Sequence, residues 1–162
     1  MARLLGIAIK PEDEVDLHGC DQAMLSTDSG VAGDSRGRPG PRQVTVLSLA
    51  HWHAACHELG VELDWMKRRA NLLVDDLPLH QSKGLCLSMG DALLEITGET
   101  DPCARMEQVH KGLFQALARH WRGGVTCRVL KGGELLKGMV VELHKPDDDR
   151  GGVAWGQREE IV

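Results

Sequence analysis

Apolar residues fall into short runs along this chain, and the runs differ in spacing. The first, over residues 3–9 (RLLGIAI), is nearly continuous and reads as a buried strand. From there to residue 42 the sequence turns polar and rich in Gly, Asp and Ser, which predicts mostly loop. Its last part, GDSRGRPGPR (33–42), mixes glycine and proline with Arg36, Arg38 and Arg42, a composition of tight turns and exposed backbone amides that often lines a site. The β-branched segment 43–47 predicts a second strand. Ser48 then stands where an N-cap belongs, and Leu49, Trp52, Cys56 and Leu59 recur at helical spacing. A helix is expected over 49–59, with Gly60 as its stop.

Segments 71–74, 84–87 and 92–97 predict further short strands, set apart by Pro, Gly and Asp. A second helix is expected over 102–119, and 125–130 and 139–143 predict a closing pair of strands joined through Gly132, Gly133 and Gly138. Short strands that must hide their edges do so by curling into one sheet. The pattern therefore predicts a mainly β (α+β) fold: a small closed or half-closed barrel with two peripheral helices. The domain is expected to span 1–143, and the polar stretch 144–162 to form a loose or partner-dependent tail.

Composition narrows the function. A chain of 162 residues can bury one core without disulfide staples. Net charge is −5 with both signs interspersed, and four Trp, one Phe and no Tyr supply no base-stacking platform, so no nucleic-acid partner is expected. The apolar run 4–9 is too short for a signal peptide and is followed by Glu12, Asp13, Glu14 and Asp16. No segment approaches the roughly 18 apolar residues of a membrane span, so no membrane partner and a cytoplasmic location are expected. Five cysteines, odd in number and without a CxxC spacing, read as free thiols of a reducing compartment.

The chemistry concentrates in TGETDPCARME (97–107), where a strand ends and a helix begins. Asp101 suits the N-cap and Pro102 the first helical position, which would put Cys103 in the first turn, facing unpaired amides. The helix dipole and Arg105 would favour its thiolate, while Glu99 and Asp101 push the other way. The alternative reading of Cys103 is a small residue filling space beneath a helix start.

Taken in order, GVAGDSRG (30–37), RQVTVLS (42–48), RRANLLV (68–74), GDALLEITGETDPCARM (90–106) and WRGGVTCRVLKGGELLKG (121–138) resemble the stand-alone bacterial members of the MOSC family, the molybdenum cofactor sulfurase C-terminal domain. The resemblance implies a barrel of the kind first described in pyruvate kinase and one central cysteine, here Cys103. It implies two uses for that residue: a ligand to molybdenum, as in the amidoxime-reducing relatives, or a persulfide carrier of sulfur. Both exploit a soft, deprotonated sulfur. Asp34, Arg42, Arg69 and Asn71 are the matching positions expected to face the cysteine, and arginines with Arg105 among them suit the phosphate of a molybdopterin cofactor.

The sequence departs from larger relatives in having no counterpart of their N-terminal β domain or added helical region, and weak cofactor binding is expected from that. Gly138–Met139 also replaces a Gly-Asp pair common in the family. Pyridoxal phosphate is not expected on this chain, since its lysine belongs to the desulfurase domain fused to some relatives. His53 and His57, one helical turn apart beside Cys56, read as a solvated helix face rather than a metal pair, and His18 and Cys20 as loop residues. No Ser-His-Asp order, P-loop or dinucleotide glycine pattern is present. Two functions remain in competition with a plain binding domain. One is a sulfur carrier served by a cysteine desulfurase or other donor; the other is a molybdenum-dependent reductase of N-hydroxylated compounds served by an electron-transfer partner.

Overall fold

The computed structural model describes residues 1–146, so residues 147–162 of the expected tail lie outside the described residues. The strands are β1 (Leu4–Ile9), β2 (His18–Cys20), β3 (Gln22–Ser26), β4 (Gly30–Val31), β5 (Val44–Ser48), β6 (Leu72–Val74), β7 (Cys86–Met89), β8 (Ala92–Glu99), β9 (Val125–Lys131), β10 (Gly133–Leu136) and β11 (Glu142–His144). The helices are α1 (Leu49–Leu59), α2 (Ala104–Val109) and α3 (Leu113–Ala118). Eight strands form one sheet in the order β11-β7-β8-β9-β5-β6-β1-β2, antiparallel throughout except for the β5–β6 pair. This sheet curls until β1 meets the segment leading into β11: the Leu4 amide donates to Met139 O and the Gly138 amide to Leu4 O. The result is the mainly β, half-closed barrel that the run of short strands predicts.

The polar region 10–42 is mostly loop, as its composition predicts, but short strands interrupt it. It contains β2, which extends the main sheet, and β3 and β4, which form a second, three-stranded sheet with β10. These strands are short and carry Ser, Gly and Gln, so side-chain pattern cannot announce them; backbone pairing with β1 and β10 makes them strands.

The continuous apolar character of the central strands has a simple cause: both faces are covered. Val44, Val46, Leu72 and Val74 point into the barrel with Leu4, Ile7, Leu94 and Ile96. Their neighbours Leu47 and Leu73 point outward beneath the helices, against Trp52, Cys56, Met106 and Leu117. Helix α1 follows its local signals. Ser48 Oγ accepts from the His51 amide, and Gly60 closes the helix in the left-handed conformation.

The second helix is two. Gly112 takes φ 90° between α2 and α3, and the Glu107 carboxylate accepts from the Gly112 and Phe114 amides, satisfying the first turn of α3 from outside it. That reach across the break stabilises a corner which 3.6-residue periodicity does not reveal. The start also differs: Cys103, not Asp101, occupies the N-cap position with an extended backbone, and Pro102 precedes the helix. At the far end, β11 runs through His144, whose Nε2 pairs with Ser88 Oγ.

Cys86 and Cys127 lie buried within β7 and β9. Burial pushes the Cys86 thiol from 9.0 up to about 11, and pushes Cys127 up as well. Each thiol holds its proton more tightly folded than unfolded, so the unfolded chain deprotonates first as pH rises. The stabilisation is full below pH 9.0 and is lost as pH rises through about 11. Urea unfolding followed across that window should show falling stability, and Cys86→Ala should remove part of the slope.

Candidate functional site

At one end of the barrel, β8 leaves the sheet, β9 enters it and the chain approaches β6. Three carbonyls there, of Thr100, Asp101 and Gly123, converge on one guanidinium. Arg68 Nε donates to Gly123 O at 3.0 Å, and its Nη2 donates to Thr100 O at 3.0 Å and Asp101 O at 3.3 Å. The side chain is 7 % exposed and has no carboxylate partner among the described residues. Gly123 makes the approach possible, because a Cβ there would sit 2.9 Å from Thr100 O and 3.0 Å from Arg68 Nη2.

Beside this clasp lies a cleft of about 230 Å³ lined by Cys103, Arg36, Arg42, Arg68, Arg69 and Arg105, with Thr45, Ala70, Thr100, Asp101, Met106 and Gly123 completing it. Burial disfavours the charged form of Arg68, which the Cys103 sulfur offsets most among its neighbours; Arg42 adds to the strain. Arg69 is disfavoured likewise by burial and then by Arg105 and Arg36, with Asp16 and Cys103 opposing. Several cations therefore share a small volume around one thiol.

The structure brings together four of the six residues singled out from the sequence: Cys103, Arg42, Arg69 and Arg105. Asp34 and Asn71 do not line the cleft. Asp34 is buried, accepts from the Lys10 amide at 2.7 Å and pairs with Arg36 Nη2 at 3.1 Å, and so holds Arg36 in place. Arg36 in turn donates to Arg69 O at 2.9 Å. Asn71 stitches three strands, accepting from the Thr45 amide and donating from its amide side chain to Ala8 O. The Asp34 carboxylate thus positions Arg36, and the Asn71 amide ties neighbouring strands together; neither lines the cleft.

Arg36 lines the cleft from within the 33–42 loop that composition marked as a site-lining segment, whereas Arg68 is the lining arginine that sequence reasoning missed. Arg68 stands next to Arg69 in the same RRAN motif, and the strongest available signal for it was that adjacency. What separates the two is backbone: residues Trp65–Arg68 form a 3-10 turn closed by Arg69 in the left-handed conformation at φ 70°, which sends Arg68 inward and leaves Arg69 to donate to Val15 O.

Of the five thiols, Cys103 alone is exposed; Cys56, Cys86 and Cys127 are buried and Cys20 is half-buried. A larger cleft of about 730 Å³ along α1 includes His53, Cys56, His57, Glu62 and Asp64 but no arginine, and burial pushes its Cys56 thiol up. Among the described residues no group of three His, Cys, Asp or Glu is placed to hold a metal ion. No helix among them is long and apolar enough to cross a membrane.

The chain belongs to the MOSC domain family, whose profile matches residues 16–142. In fold it is similar to the YuaD protein of Bacillus subtilis, with a TM-score of 0.73 at 20 % identity over 90 % of this chain and 97 % of that one. It is likewise similar to YiiM of Geobacillus stearothermophilus, at 0.72 and 14 % identity over 95 % of this chain and 80 % of that one. YiiM of Escherichia coli gives 0.64 and 17 % identity over 91 % and 72 %. No curated protein matches the chain in sequence.

Replacing Arg68 with Met keeps the apolar stem and strips three carbonyls of their donor. We expect a loss of about 1–3 kcal/mol in urea unfolding, against less than about 0.5 kcal/mol for Arg42→Gln at an exposed position. Equal costs for the two would show that the clasp is not structural.

Proposed function

We propose that this chain carries sulfur on Cys103 as a persulfide between a donor and an acceptor. The observation that supports the reading most is the exposure of Cys103 in a small arginine-lined cleft, while the other thiols are wholly or partly withdrawn. With a cysteine desulfurase as donor, the Cys103 thiolate attacks the outer sulfur of the donor's persulfide. A new S–S bond forms at Cys103, the donor's S–S bond breaks, and its electron pair stays on the donor cysteine. Delivery is the same displacement run toward an acceptor. The guanidiniums compensate the negative charge that the terminal sulfur carries throughout.

The family is linked to molybdenum cofactor, and the residues present suit that group at both ends. Arg42, Arg68, Arg69 and Arg105 have no carboxylate ion pair among the described residues and match a phosphate in charge and geometry. Cys103 offers a soft ligand for the metal. When bound, such a cofactor supplies two-electron redox chemistry, and this arginine set favours a second reading, a reductase of N-hydroxylated compounds fed by an electron-transfer partner. Size favours the carrier. A cleft of about 230 Å³ falls below the roughly 300–1,000 Å³ that encloses small organic ligands, whereas one sulfur atom needs no enclosure.

Two measurements on one preparation separate the readings: molybdenum per chain, by elemental analysis of protein purified from cells that make the cofactor, and sulfur gained on Cys103, by peptide mass after incubation with a cysteine desulfurase and cysteine. The carrier reading expects little metal and a persulfide that is absent from Cys103→Ser. Near-stoichiometric molybdenum that disappears in Cys103→Ser would overturn it.

A further inference from the structure

The cleft around Cys103 has more positive charge than a sulfur relay between proteins requires. Its lining holds five arginines and one carboxylate, Asp101, in a chain whose net charge is −5. Among the described residues only Arg36 is neutralised, by Asp34. Arg68 is more than nine-tenths buried, and its three hydrogen bonds use Nε and Nη2, leaving Nη1 without a protein partner among the described residues. Thr100, 8 % exposed in the same lining, has a buried hydroxyl that likewise finds no partner among the described residues. A buried guanidinium kept without a counter-charge is costly, and the cost is recovered when an anion completes it. Guanidinium forks pair best with oxyanions, and the volume admits a small one.

We infer that the sulfur donor selected by this cleft is a small oxyanion bearing a transferable sulfur, with thiosulfate as the simplest member, so that the chain has a thiosulfate sulfurtransferase activity at Cys103. This rests on the carrier reading and names the donor class. The arginines answer the obstacle in the reaction, which is that a thiolate must approach a dianion. Guanidiniums around the sulfonate oxygens offset that repulsion and leave the outer sulfur turned toward Cys103. The thiolate attacks the outer sulfur; the Cys103–sulfur bond forms as the S–S bond of thiosulfate breaks, and the electron pair departs with sulfite. Total charge is the same before and after, no proton moves, and no outside oxidant or reductant takes part. An acceptor such as cyanide then takes the terminal sulfur as thiocyanate and returns the thiolate.

The test incubates the purified full chain with thiosulfate, measuring sulfite released and sulfur gained on Cys103, then adds cyanide and follows thiocyanate. A parallel arm supplies a cysteine desulfurase with cysteine in place of thiosulfate. We expect sulfite and bound sulfur in equal amounts, neither of them in Cys103→Ser. Thiosulfate turnover should fall about tenfold or more in the R42Q/R105Q double variant, whose substitutions are at exposed positions, and should be inhibited competitively by sulfate. Loading by the desulfurase without loading by thiosulfate would overturn the donor class and leave the carrier standing. Loading by neither would overturn both. Thiosulfate turnover indifferent to the double variant and to sulfate would overturn the role given to the arginines.

Discussion

Burying a guanidinium without a carboxylate is expensive, and the site end of this barrel is organised around one such group. Arg68 draws together the chain leaving β8, at Thr100 and Asp101, and the chain about to enter β9, at Gly123. Those contacts fix the path that delivers Cys103 three residues past Thr100. The same cation stands behind the thiol as a fixed charge. Structure and electrostatics therefore share one side chain, and neither can be altered there without the other.

Around that clasp, supports outside the cleft hold part of its lining in place. Asp34 aims Arg36, Arg36 grips the Arg69 carbonyl, and Asn71 locks the start of β6 to β5 and β1. The two-faced sheet supplies the rigidity behind them. Its inner residues form one core and its outer residues seat the helices as a second, so the strands that flank the cleft are pinned from both sides. Cys103 itself sits at the N-cap of a six-residue helix rather than within its first turn, so its setting owes more to the nearby arginines than to the helix.

Much of this was readable in the sequence where signals are local. β1, β5, β6 and β9 declare themselves as apolar runs, and α1 carries its own cap at Ser48 and its own stop at Gly60. Elements that exist only through pairing were not readable: β2, β3, β4 and β10 are short, partly polar segments made into strands by their neighbours. The break at Gly112 depends on Glu107 reaching past it, which periodicity does not encode. Within the site, the motif letters marked Cys103, Arg42 and Arg69 as convergent. They could not show that Arg68 turns inward or that Asp34 and Asn71 act as supports, since those assignments follow from a left-handed residue and from contacts between distant segments.

Cys103 lies among five arginines, a strongly positive local field within a negatively charged protein. The rate of Cys103 modification by anionic iodoacetate relative to neutral iodoacetamide, taken over the same ratio for a small free thiol, measures that field directly. We expect a relative preference for iodoacetate of about tenfold that collapses as salt is raised. A preference for the neutral reagent, as the net charge of −5 alone would produce, would contradict it.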